Sequence, residues 1–223
     1  MNYPGGTRVK KTNNNIEYAN RGMSLESDIN ISNEFYIDRK IAYIYKKPTP
    51  IQIVKVDYPS RNKAIIKEAY FKEPSTTDYN GLYKGKYIDF EAKETNNSSF
   101  PLTNIHKHQV VHIKNIYDNG GICFLIVRFN KYNKTFILSA KDFINYIDNE
   151  NRKSIPIDYF EKKGYTIEIK YMPRLDYINI VDKLMEVSQW QKKEEGVLSH
   201  ENHLKQTLIL EHTKDQNYHY QIL

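Results

Sequence analysis

Apolar and polar positions change period along the chain, and the changes mark out its elements. The apolar run from Ile122 to Phe129 has the composition of a strand buried on both faces. From about Ile16 to Ser32 the spacing is helical: Met23, Leu25 and Ile29 can share a core face while Glu26, Asp28 and Asn30 point elsewhere. Lys40 to Tyr45 is rich in Ile and Tyr, Pro48 and Pro50 then forbid a central strand, and Ile51 to Val56 alternates as a strand does. Asp57 to Lys63 reads as a turn and Ala64 to Phe71 as the returning strand, which predicts a hairpin projecting from the body. A second hairpin runs from Leu82 to Lys93 around Lys84-Gly85-Lys86. Asn104 to Tyr117 is helical and ends at Gly120-Gly121. Beyond it come a strand at Thr135 to Leu138, a helix at Lys141 to Asp148 and an edge strand at Tyr165 to Lys170. Strands first and helices interleaved later predict an α/β (α+β) fold, a central mixed sheet flanked by helices.

Composition narrows what such a fold is for. The 223 residues suffice for one sizeable core with appendages. Residues 1–15, with Gly5-Gly6, Arg8, Lys10 and Lys11, are expected to form a flexible basic arm, residues 16–185 the main domain, and residues 186–223 a C-terminal extension. The extension holds 4 Lys against 6 acidic residues, a charge of −2, which leaves +8 for the remainder of a chain whose total is +6. A positive body of that kind favours phosphate-bearing partners, nucleic acid first. The single cysteine, Cys123, lies in an apolar run, which rules out a disulfide framework and a cysteine zinc site and predicts a buried thiol. No apolar stretch reaches the roughly 18 residues of a membrane span, and Met1 to Gly6 lacks a signal-peptide core; a cytoplasmic protein without membrane contact is expected. The first hairpin, at about 53–74, carries Lys55, Arg61, Lys63, Lys67 and Lys72 against Asp57, Glu68 and Glu73, with tyrosines interleaved. Tyr58, Arg61, Lys63 and Lys67, with Tyr70, mix cations and aromatic faces in the way that suits phosphates and unstacked bases.

The chemistry concentrates between Ser75 and Glu94. If Tyr87 to Lys93 is a strand, alternation puts Ile88, Phe90 and Ala92 on one face and Asp89, Glu91 and Lys93 on the other. Asp78 lies thirteen positions before Glu91, a separation that a hairpin closes. Phosphodiester hydrolysis needs a hard cation on oxygen ligands, an activated water and positive charge near the phosphoryl oxygens. Two carboxylates and a lysine supply the protein's share. Asp89 is the rival for the second carboxylate, and Glu26 could add another from the first helix, although a solvent-facing Glu is the plainer expectation there. His106, His108 and His112 have poor helical spacing for a metal, and His108 is expected near DNA or in a polar network.

Asp78, Glu91 and Lys93 resemble the Asp…Glu-x-Lys signature of the PD-(D/E)xK nuclease superfamily. More narrowly, Asn20-Arg21-Gly22-Met23, Lys47-Pro48-Thr49-Pro50-Ile51, Ser75-Thr76-Thr77-Asp78-Tyr79, Tyr87 to Thr95, and Phe100-Pro101-Leu102 followed by His108-Gln109 resemble the RecU resolvases over about residues 16 to 175. The resemblance implies a restriction-endonuclease-like core and magnesium bound by Thr76, Asp78, Glu91 and Gln109, directly or through water, with manganese as a plausible substitute. It further implies Lys93 as transition-state stabiliser and a hairpin stalk that enters a four-way DNA junction. A homodimer making paired symmetric cuts would match the junction's two-fold symmetry, with other recombination proteins as further partners. Two departures stand out: Thr77 replaces the proline that names the superfamily, and Thr95 to Ser99 is one residue short. A restriction-type nuclease and a non-catalytic junction binder are the competing readings.

Overall fold

The computed structural model describes residues 24–72 and 76–186; the arm 1–15, the expected helical start at Ile16 and all of the extension but Glu186 lie outside them. The first helix, α1, spans Leu25–Asp38, with the Ser24 side chain capping the Ser27 amide at 3.2 Å. It runs past the expected end at Ser32 because Tyr36 continues the buried stripe begun by Leu25 and Ile29, and the Tyr36 hydroxyl donates to the Leu175 carbonyl at 3.0 Å. Asp28 does not point away from the core as expected. It is buried, and its carboxylate accepts from Arg128 Nη2 at 2.6 Å and Arg174 Nε at 3.1 Å, charge compensation that lets a carboxylate occupy the interior.

Ten strands follow among the described residues: β1 (Tyr43–Lys46), β2 (Ile51–Asp57), β3 (Ile65–Phe71), β4 (Tyr79–Tyr83), β5 (Lys86–Thr95), β6 (Ser99–Pro101), β7 (Ile122–Phe129), β8 (Lys134–Ser139), β9 (Ser154–Pro156) and β10 (Tyr165–Ile167). Helices α2 (Lys107–Asp118), α3 (Ala140–Asn149) and α4 (Ile157–Lys163) lie among them, and a helical segment covers 178–186. The main sheet has the order β1-β4-β5-β7-β8-β10; only β5 and β7 pair in parallel, across the α2 crossover, so the sheet is mixed and β10 is an edge as expected. The β4–β5 hairpin turns at Lys84 and Gly85, both at positive φ. Gly81 faces β1 so closely that a Cβ there would sit 2.1 Å from the Tyr43 carbonyl oxygen.

Apolar side chains fill both faces. One cluster joins α1 and the 178–186 segment to Ile88, Phe90, Phe124 and Tyr177, with Tyr79, Phe90 and Phe124 stacked in a row at 4.9 and 4.8 Å across three strands. The other cluster packs Ile113, Phe143 and Phe160 against Leu125, Val127 and Phe136. The alternation expected for β5 holds: Ile88 and Phe90 enter the first cluster, while Asp89 and Glu91 are buried on the opposite side. By contrast, β2 and β3 pair only with each other, and every residue of that ribbon is exposed.

Candidate active site

Asp78 immediately precedes β4, and the pairing of Tyr79 with Phe90 sets it opposite Glu91 on β5. Two backbone-to-carboxylate bonds tie Asp78 to β5. The Asp78 amide donates to Glu91 Oε2 at 3.1 Å, and Asp78 Oδ2 accepts from the Ala92 amide at 3.2 Å. The remaining carboxylate oxygen of Glu91 accepts from Gln109 Nε2 at 2.9 Å and lies against Lys93 Nζ, which also approaches Asp78 Oδ2 at 3.5 Å. Gln109 reaches back to the Thr76 carbonyl at 3.4 Å. The structure therefore brings together Thr76, Asp78, Glu91, Lys93 and Gln109, and the short Thr95 to Ser99 segment does not displace Gln109 from the group.

Electrostatics follow from burial. Glu91 is wholly buried, and loss of water followed by the Asp78 charge pushes its carboxyl up to about 7 against the pull of Lys93 and Gln109. For Lys93, burial favours the neutral amine, but Glu91 and Asp78 outweigh it and raise its affinity for the proton. The pocket thus holds two acids that need a positive partner. Its donors are hard oxygens, and among the described residues no group of three or more His, Cys, Asp or Glu is placed to hold a metal. Two carboxylates completed by a carbonyl and water suit magnesium, which keeps several waters. Gln109 fits less simply as a direct ligand: its Oε1 already accepts from the His106 amide at 3.0 Å in the capping box of α2, leaving its NH2 for Glu91. From that position it donates to Glu91.

Beside the pair opens a cleft of about 340 Å³ whose walls include Glu26, Lys46, Asp78, Lys93 and Glu94. Glu26 is over half exposed and paired with Lys46 at 2.5 Å, so it faces solvent and the cleft together. Glu94, which the sequence did not single out, accepts from the Leu25 amide and from Asn130 Nδ2 at 3.2 Å, tying the start of α1 to β5. Asp89 shares the β5 face with Glu91, but its oxygens are engaged elsewhere, by Lys47 Nζ at 2.7 Å, the Tyr87 hydroxyl at 2.8 Å and Thr77 Oγ1. His106 and His108 stack on one another at 5.4 Å, and the buried His108 Nε2 has no hydrogen-bond partner among the described residues.

Tyr58, Arg61, Lys63 and Lys67 are all exposed on the ribbon or its turn. Lys67 lies 3.5 Å from Asp57 and the Tyr70 hydroxyl donates to Glu68 at 2.8 Å, while Arg61 and Lys63 stand in the short helical turn that joins the two strands. The ribbon also exposes the apolar side chains of Ile53, Val54, Val56, Ile65 and Ile66.

A family model described as Recombination protein U matches residues 20–183. Holliday junction resolvase RecU of Geobacillus thermodenitrificans is 51% identical over 195 residues, covering 82% of this chain and 97% of that protein. Holliday junction resolvase RecU of Staphylococcus aureus is 53% identical over 201 residues, covering 83% and 96%. Among solved structures, Hjc, a Holliday junction resolvase of Archaeoglobus fulgidus, aligns with a TM-score of 0.36 at 6% identity over 60% of this chain and 92% of Hjc. Identity of one residue in two over nearly the full length of those relatives, with a family model that spans every strand from β1 to β10, means that the chain belongs to the RecU family.

Proposed function

We propose that this chain is a magnesium-dependent endonuclease that resolves four-way DNA junctions by paired symmetric cuts, acting as a homodimer in recombination and repair. The observation that carries the reading is the pair of bonds that ties Asp78 to β5, its amide donating to the Glu91 carboxylate and its own carboxylate accepting from the Ala92 amide, with Lys93 against both acids. Family membership and the resolvase activity named for the relatives support it.

Asp78 and Glu91 would hold the cation, with the Thr76 carbonyl and water completing its shell and manganese able to replace magnesium. Magnesium, when bound, supplies Lewis acidity and a water of lowered pKa. Gln109 orients Glu91 through its amide, and Lys93, on the cleft wall, neutralises charge that builds on the phosphoryl oxygens. The exposed ribbon, with Tyr58, Arg61, Lys63 and Lys67, would enter the open centre of the junction, so recognition rests on shape and phosphates. Two symmetric cuts need two sites. A second copy has a surface to meet: Tyr43, Leu82 and Tyr87 stand in register across β1, β4 and β5 as an exposed apolar row.

A labelled four-way junction incubated with magnesium, then with calcium, beside a linear duplex of the same sequence, tests the proposal. Symmetric nicks with magnesium and binding without nicks with calcium are expected. Equal cutting of the linear duplex would favour a restriction-type nuclease, and tight binding without magnesium-dependent nicks a non-catalytic junction binder.

A further inference from the structure

A second polar cluster lies next to the carboxylate pair, and the chemistry above leaves it without a task. Asp89 is wholly buried. Lys47 Nζ donates to Asp89 Oδ2 at 2.7 Å and to Thr77 Oγ1 at 2.9 Å, Thr77 Oγ1 donates in turn to Asp89, the Tyr87 hydroxyl adds a bond at 2.8 Å, and His112 Nε2 stands 3.3 Å away. Burying an ion pair costs about as much as the pair returns, and an apolar cluster of similar volume usually holds a fold as well or better. Stability is therefore a weak reason for this cluster, and its location suggests another.

Lys47 is the first residue after β1, where the chain leaves the main sheet for the exposed ribbon, and Thr77 lies where it returns, one residue before Asp78. The backbone adds a further tie, since the Lys47 amide donates to the Asp78 carbonyl at 2.8 Å. Thr77 sits between Thr76, whose carbonyl accepts from Gln109, and Asp78, whose amide donates to Glu91. Asp89 is two residues along β5 from Glu91 on the same face. We propose that Lys47, Thr77 and Asp89 are positioning residues, a buried clamp that fastens both roots of the ribbon to β5 and holds the segment 76–78 at the register in which Asp78 and Glu91 share one cation. The inference rests on the nuclease reading, because the clamp has this purpose only if a cation binds there.

The test measures Mn2+ binding to the full-length protein without DNA, by electron paramagnetic resonance, for wild type, Thr77→Val, Thr77→Ser and Asp89→Asn. Valine keeps the shape of threonine and removes the hydroxyl; serine keeps the hydroxyl. Thr77→Val and Asp89→Asn are expected to weaken Mn2+ binding by about 10- to 100-fold, as loss of a group that orients a metal ligand does, while Thr77→Ser stays close to wild type. In junction cleavage the magnesium concentration for half-maximal rate should rise by a similar factor in Thr77→Val, with the rate recovering at saturating magnesium. A cluster that served only the fold would lower the melting temperature and leave Mn2+ affinity unmoved in all three variants, which overturns the clamp alone. Wild-type protein that bound no Mn2+ would overturn both the clamp and the nuclease reading. If Thr77→Val failed to fold, Asp89→Asn against Thr77→Ser makes the same comparison.

Discussion

The proton on Glu91 should compete with the metal. Burial and the Asp78 charge hold this carboxyl at about 7, against an ordinary 4.5, so near neutral pH the metal-free site carries a proton on average half the time. A cation held by both carboxylates needs them ionised, and binding below pH 7 must expel that proton. From pH 8 to pH 6 the apparent affinity for Ca2+, which should bind without turnover, is therefore expected to fall about tenfold, with nearly one proton released per ion at pH 6 and about a tenth of one at pH 8. Calorimetry in two buffers of different ionisation enthalpy reads both quantities. The same shift bears on stability with a definite sign: a group whose pKa is raised on folding contributes stability that is full below about 4.5 and lost as pH rises through about 7. The loss amounts to about 3 kcal/mol for metal-free protein, and Ca2+ should restore it at pH 8. An affinity that is flat from pH 6 to pH 8, with no proton released, would refute the assignment of Glu91 as a ligand.

Lys93→Ala should slow junction cleavage by about 100- to 1,000-fold while calcium-supported junction binding, read by gel shift, stays at wild-type strength; weakened binding instead would make Lys93 a DNA contact. If Arg61 and Lys63 each neutralise a phosphate, reversing both to Glu should reduce the slope of log affinity against log salt by about 2 and erase the preference for junctions over duplex; an unchanged slope would remove the ribbon from the interface. Gly81→Ala would push a methyl to within 2.1 Å of the Tyr43 carbonyl oxygen and 2.6 Å of Ile44 Cα, so β1 must move away from β4. Urea unfolding should show a loss above about 2 kcal/mol.

The parts of this molecule that were legible in its sequence are those that a local period dictates. Alternation along β5 separated Ile88 and Phe90 from Asp89 and Glu91, and the glycine turn at Gly85 implied the hairpin that brings Asp78 opposite Glu91. The parts that were not legible depend on partners far along the chain. Asp28 was expected to point away from the core, yet it is buried together with Ser32 and Asn33, because Arg128, Arg174, the Leu175 amide and the Tyr177 hydroxyl come to meet the three from more than ninety positions away. Asp89 and Glu91 share one face of β5, told apart in sequence by the Lys93 that follows Glu91 at two positions, and the structure adds that Lys47 and Thr77 arrive from the two ribbon roots to engage Asp89. In the ribbon, local alternation and the turn at 57–63 were enough to mark out two strands that leave the body, and β2 and β3 pair with each other with every residue exposed.

The spacing of Glu91 and Lys93 acquires a reason once burial is considered. Two residues apart on one face, they differ sharply in access, since the Glu91 side chain is wholly buried while that of Lys93 is 29% exposed on the cleft wall. Without a cation, Lys93 leans on both carboxylates and offsets their mutual repulsion. With the carboxylates neutralised by a metal, Lys93 would be free of that task and already stand on the cleft wall, where on the nuclease reading a phosphodiester would approach Asp78. A longer spacing on the same strand would carry the ammonium beyond Glu91, and an adjacent position would send it into the apolar cluster around Phe90. The Glu-x-Lys pattern thus places a single lysine where it can stabilise the metal-free site and then serve the reaction.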